Sequence, residues 1–218
     1  MKSRELKLLP PSGPVSALLD SPGKPMAGIA LAHGAGAGMR HEFMAELACA
    51  LVGAGFAVLR FQFPYMEAKQ RRTDPPKVSA ATVAAAVQAL RAEVKVPVFA
   101  AGKSFGARMT TTAASLGLLE DVAGIICFGF PLHPAKQPSI ERAAHLSKID
   151  IPMLFLQGTR DDLADLELMR GVCKKLKLAR LHVVEHADHG FGVLKRSGRT
   201  GAEVMAELVL EASKFRDR

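Results

Sequence analysis

Five short, predominantly apolar runs constrain this chain more than any other feature: Gly28–Ala32, Ala57–Phe63, Pro97–Ala101, Val122–Phe128 and Pro152–Leu156. A sixth, Arg180–Val184, follows the same spacing. Runs of this length that lack polar alternation suit strands buried on both faces, which is the condition of a parallel sheet covered by helices. Helical patterns fill the intervals. Glu42–Val52 stops at Gly53 and Gly55, and an alanine-rich segment capped by Ser79 reaches about Val94. Phe105–Leu116, a short Ser139–Leu146, Leu163–Leu176 and Thr200–Phe215 complete the set. Strand and helix in alternation require right-handed crossovers, so the expected fold is α/β, a doubly wound, mostly parallel sheet flanked by helices.

The remaining segments fit this plan. Leu6–Leu9 and Val15–Leu19, joined by the turn-forming PPSGP, predict a hairpin. Pro64 ends the Ala57–Phe63 strand, and residues 66–78 and Pro131–Pro138 read as loops. The short connection after Phe128 leaves little chain for a cap over the carboxyl ends of the strands. There is no internal repeat, and one domain over residues 1–218 is expected.

Composition narrows the class of function. A 49% hydrophobic and 23% charged content is that of a globular protein. The net charge of +8 is spread over Arg71-Arg72, Lys174-Lys175 with Lys177, and Lys195-Arg196 with Arg199. With no Trp and a single Tyr to interleave with them, these charges predict a solvated surface, and no nucleic-acid partner is expected. The segment MKSRELKLLPP lacks the apolar core of a signal peptide, and AGIALA is too short to cross a bilayer, so no membrane association and a cytoplasmic setting are expected. Cys49, Cys127 and Cys173 form no C-x-x-C pair and read as small buried hydrophobes.

The segment AGKSFGAR carries two overlapping signatures. As the end of G-x-x-x-x-G-K-[ST] it would cradle phosphate, but the position of the first glycine holds Pro97, which has no N–H and a fixed φ. As G-x-S-x-G it is a nucleophile elbow, with Ser104 between a strand and a helix and small residues, Gly102 and Gly106, on either side. The second reading fits its context.

A serine hydroxyl needs a base, and the base an orienting acid. Downstream, PMLFL runs into QGTRDD, offering Asp161 and Asp162 at a strand's carboxyl end; LHVV runs into EHADHGF, offering His186 and His189. Asp161 is preferred as the acid with Asp162 capping the following helix, and His189 as the base because it stands further into its loop. An oxyanion hole is expected from the Phe105 amide and from the His33-Gly34-Ala35-Gly36 loop, with Ala35 the first choice and Gly36 the reserve. Lys103 and Arg108 read as helix-end surface charges, with attraction of an acidic acyl group as the alternative. His41-Glu42 begins H-E-x-x-H, but Ala45 takes the second histidine's place; His186, Asp188 and His189 are loop neighbours without a second ligand group, so neither a metal nor a cofactor is expected.

From LAHGAGAG through RFQFPYM, AGKSFGAR, GFPLHP and QGTRDD to HADHGF, the chain resembles the small, capless, dienelactone-hydrolase-related branch of the α/β-hydrolases. The resemblance implies a Ser104–Asp161–His189 triad, with Phe61–Tyr65 and Pro131–Pro134 flanking the pocket. Dienelactone hydrolases proper use a cysteine where this chain has Ser104. The expected function is therefore a serine hydrolase cleaving a small carboxylic ester or related acyl compound through an acyl-enzyme. Scaffold proteins that retain this fold are the alternative.

Overall fold

The computed structural model describes residues 3–218, so the first two residues of the expected 1–218 unit lie outside the described residues. Eight strands form one sheet in the order β1-β2-β4-β3-β5-β6-β7-β8. β1 (Arg4–Leu8) and β2 (Val15–Asp20) make the antiparallel hairpin, and β2 pairs antiparallel with β4 (Phe56–Phe61). The others run parallel: β3 (Ala27–Ala32), β5 (Val98–Lys103), β6 (Gly124–Phe128), β7 (Met153–Arg160) and β8 (Ala179–Asp188). All six residues of β3, β4 and β5 are buried, as the apolar runs require.

Alternation within each strand serves two cores. Ile29, Leu31, Phe99 and Ala101 face α1 (Glu42–Gly53) and α6 (Gly201–Arg216). Ala30, Ala32, Val98 and Ala100 face α3 (Pro76–Glu93) and α4 (Phe105–Ser115). α5 (Leu166–Lys174) packs on that second face through Met169 and Cys173, beside a 3-10 segment at Glu141–Lys148. Each fully buried Leu, Ile or Phe contributes about 1.5–3 kcal/mol relative to exposure. No helix is long and apolar enough to cross a membrane among the described residues.

Several boundaries differ from expectation for identifiable reasons. α3 begins at Pro76, three residues before Ser79, because a proline in the first turn needs no N–H acceptor; Ser79 is buried inside the helix and caps nothing. A one-turn helix, α2 (Pro64–Glu67), follows β4 where a loop is expected. β1 stops at Leu8, leaving Leu9 80% exposed. α5 starts at Leu166 with Asp165 as its cap, so Asp162 is not the cap. Cys127 and Cys173 are buried, but Cys49 is exposed on α1. β7 and β8 both run past their apolar cores, carrying the acid and base candidates to the carboxyl edge of the sheet.

Candidate active site

Ser104 occupies the turn between β5 and α4 with φ +53° and ψ −115°, a region costing a residue with a side chain roughly 1–3 kcal/mol. The two flanking glycines make the turn possible. A Cβ on Gly102 would lie 2.2 Å from the Gly106 carbonyl carbon, and one on Gly106 would lie 2.4 Å from the Ala32 carbonyl oxygen. Backbone therefore packs on backbone at both positions. Ser104 is the residue preceding α4, where a serine commonly caps the helix, yet its side chain makes no cap bond. The hydroxyl instead lies 2.7 Å from Nε2 of His189.

The other imidazole nitrogen, Nδ1, lies 2.7 Å from Oδ2 of Asp161. A carboxylate only accepts, so Nδ1 carries the proton and Nε2 is left to accept from the serine. The Asp161 side chain is 1% exposed and is fixed on both oxygens. Oδ1 accepts from the Leu163 N–H at 2.8 Å, and Oδ2 also accepts from the Gln157 amide. Asp162 is exposed beside it and makes neither contact.

His186 stands apart. Between Gly158–Val184 and Arg160–Asp188 the β7–β8 register shifts, and the extra residues of β8 bulge outwards with His186 at φ +64°. Its amide donates to Thr159 Oγ1 and its carbonyl accepts from Arg160, and the residue is exposed and absent from the cavity at Ser104. The loop that follows closes on itself: Asp188 Oδ1 accepts from the amides of Gly190 and Gly192, and buried Phe191 adopts φ +65°. His189 is carried on this loop.

The 33–37 loop is braced from behind. The Phe63 N–H donates to Nε2 of His33, so Nδ1 carries the proton and donates to the Gly34 carbonyl at 2.7 Å. Burial pushes the His33 pKa down to about 4, keeping the ring neutral; the Gly34 hydrogen bond opposes this in part. Tyr65 donates its hydroxyl to the Ala35 carbonyl at 2.8 Å. The Ala35 N–H has no backbone acceptor among the described residues. Phe105 opens α4, so its N–H has no acceptor within that helix. Ser104 Cβ lies 3.8 Å from where a side chain on Gly34 would begin, which sets the two loops against each other.

A cavity of about 310 Å³ opens at Ser104, lined by the 34–37 segment, His41, Phe43, Met44, Lys103, Leu163 and the His189-Gly190 turn. Phe61–Tyr65 and Pro131–Pro134 do not line it. Phe61, Phe63 and Tyr65 are buried behind the 33–37 loop, and Tyr65 packs edge-on to Phe105. His133 is buried too, and its Nε2 accepts from the Asp165 N–H beneath the turn that bears Asp161. These segments act as backing. Nor is Lys103 a surface charge: it ends β5, is 9% exposed, and donates from Nζ to the His189 carbonyl at 2.6 Å. Arg108 is half-buried against Phe105 on α4 and is not among the cavity's lining residues. Sequence reasoning missed Gln157, Lys103 and the bracing by His33. Only Lys103, inside the elbow motif, carried any signal.

The family model for an alpha/beta hydrolase domain matches residues 25–217. Among solved structures, the chain is similar to a lid-less α/β serine hydrolase from Xanthomonas campestris (21% identity, TM-score 0.76, covering 99% of this chain and 95% of that one). It is also similar to an α/β serine hydrolase homologue from Coxiella burnetii (22%, 0.79, 97% and 98%) and to a dienelactone hydrolase from Anabaena variabilis (17%, 0.75, 98% and 96%). At these identities the likeness concerns the fold, an eight-stranded sheet without a lid.

Proposed function

The chain belongs to the alpha/beta hydrolase domain family, and from that premise we propose that it is a serine hydrolase acting on a small, uncharged carboxylic ester or related acyl compound. The observation that carries this reading is the line of contacts from Ser104 through His189 to a buried, fully bonded Asp161. Ser104 Oγ attacks the acyl carbon while Nε2 of His189 takes its proton. Asp161 fixes the tautomer and stabilises the imidazolium that forms. The tetrahedral oxygen is received by the Phe105 and Ala35 amides, each such donor contributing about 3 kcal/mol to transition-state stabilisation. The imidazolium returns its proton to the departing alcohol, leaving an acyl-enzyme that water cleaves by the same steps in reverse order.

Substrate class follows from the lining. Phe43, Met44 and Leu163 are apolar, and of the basic residues that share the lining, Lys103 has its nitrogen committed to a carbonyl of the protein, which leaves His41 and His189. A neutral acyl group of a few carbons suits such a space better than an anionic one. The description of one structural neighbour as a serine hydrolase and of another as a serine hydrolase homologue supports the reaction class.

A fluorophosphonate probe tests the reading. Wild type should label and Ser104→Ala should not, with hydrolysis by the variant reduced by about 10⁴–10⁶-fold. Equal labelling of both proteins, or of neither, refutes it. Among p-nitrophenyl esters of equal size, kcat/KM should favour a neutral acyl group over an anionic one.

A further inference from the structure

Lys103 stands immediately before the nucleophile in the chain, yet its side chain reaches the loop that carries the base. Nζ donates to the His189 carbonyl at 2.6 Å. The same nitrogen lies 5.5 Å from the centroid of Phe191 and 5.9 Å from that of Phe43, two rings that are near-parallel, 11° apart in tilt, with centroids separated by 5.9 Å. Phe43 comes from α1 and Phe191 from the base loop itself, so one ammonium gathers three segments: the β5 elbow, the start of α1 and the loop after β8. Burying a cation is costly, and a surface serine elbow gives no structural reason to do so. The return must lie in what the ammonium holds.

Resting on the serine-hydrolase reading above, we propose that Lys103 is a positioning residue: its protonated ammonium straps the backbone of His189 to the nucleophile's own turn and so maintains the Ser104–His189 contact. The ammonium acts through three kinds of attraction. It makes a charge-assisted hydrogen bond to the carbonyl. It is drawn to the two aromatic rings. It also feels the nearby negative charge of Asp161 at the end of β7 and Asp188 at the end of β8. The remaining titratable neighbours around the cavity are His189 itself and His41, which precedes α1. A neutral amine keeps a weak N–H donor but loses every charge-dependent part of this set. Burial pushes the Lys103 pKa down to about 8, while Asp161 and Asp188 hold it from falling further. The strap is therefore intact at neutral pH and lost above about pH 8.

The test is the pH profile, from 5.5 to 10, of kcat/KM for p-nitrophenyl acetate and of the second-order rate of fluorophosphonate labelling. Wild type should show an alkaline limb near pH 8. Lys103→Met, which keeps length but removes the charge, should be slower by about 10²-fold at pH 7, the scale of a 1 Å misplacement, and should show no alkaline limb. Lys103→Arg, permanently charged, should move the limb beyond pH 10 whatever its absolute rate. A wild-type profile that stays level to pH 10 overturns the proposal. So does a Lys103→Met protein with the wild-type rate and limb. If Lys103→Met lacks a cooperative thermal transition, the wild-type and arginine profiles decide alone. Labelling of wild type but not Ser104→Ala, with no limb, refutes the strap and leaves the hydrolase reading standing. Equal labelling of Ser104→Ala and wild type removes both.

Discussion

The two halves of the site are built from different forces. On the Ser104 side, geometry is enforced by backbone contact: Gly102 sits against Gly106, and Gly106 against the end of β3, at distances where no side chain fits. On the base side it is enforced by charge and hydrogen bonds between side chains distant in sequence. Asp161 is fixed by Gln157 and by the Leu163 amide, His189 by Asp161, its carbonyl by Lys103, and its loop by Asp188. Steric constraint is independent of pH and intolerant of added atoms. An electrostatic constraint tolerates shape changes but depends on protonation.

Two substitutions separate these regimes. Asp161→Asn replaces the carboxylate with an amide that favours the wrong imidazole tautomer. Its kcat/KM should fall by about 10⁴-fold with secondary structure retained, as circular dichroism and steady-state kinetics would report. Gly106→Ala should act the other way round. Its new methyl would meet the Ala32 carbonyl oxygen at 2.4 Å and the His33 carbonyl oxygen at 2.7 Å, so stability in urea should drop by about 3 kcal/mol. An Asp161→Asn protein with near wild-type turnover, or a Gly106→Ala protein as stable as wild type, would erase the distinction.

The same difference explains what could be read from the sequence. The sheet was legible because runs such as Ile29–Ala32 and Val98–Ala101 are buried on both faces, and burial dictates composition directly. The elbow was legible because sterics permit only glycine at 102 and 106. The base loop was legible only in outline. Candidates for its acid and base could be named at successive strand ends, but the register shift at His186 depends on how β7 and β8 pair. Lys103 looked like a surface charge because a lysine is usually exposed, and nothing local signals that Phe43, sixty positions earlier, and Phe191, far downstream, converge on it. Phe61–Tyr65, expected to flank the pocket, do so from behind the 33–37 loop and not from its lining, because a residue can stabilise a site without touching its ligand.

Acid should act on the 33–37 loop, which lies against the Ser104 turn and is braced by a titratable side chain. His33 is neutral in the native chain because burial holds its pKa near 4, against 6.5 when free. The unfolded chain thus binds a proton that the native chain refuses. Stability from this residue is fully present above pH 6.5 and declines as pH falls towards 4, by about 3 kcal/mol in total. Urea midpoints measured from pH 7 to pH 4 should follow that slope, and His33→Gln should flatten it. Acid should thus loosen the 33–37 loop first, whereas base should loosen the proposed contact between Lys103 and the His189 loop. A slope unchanged in His33→Gln would assign the acid sensitivity elsewhere.

Asp188 offers the finest test, because its two functions can be pulled apart. As a hydrogen-bond acceptor it closes the base loop at the Gly190 and Gly192 amides, at 2.9 and 2.8 Å. As a charge it helps keep the Lys103 ammonium protonated. Asp188→Ala removes both. Two hydrogen bonds of about 1 kcal/mol each are lost, and activity at pH 7 should fall by roughly tenfold as the loop loosens. Asp188→Asn keeps an oxygen able to accept from both amides and removes only the charge. Its activity at pH 6.5 should stay close to wild type, while its alkaline limb should move to lower pH, since the lysine has lost a negative neighbour. If Asn behaves like wild type at every pH, with its alkaline limb unmoved, charge has no separate part in holding the loop, and the His189 half is held by hydrogen-bond geometry alone.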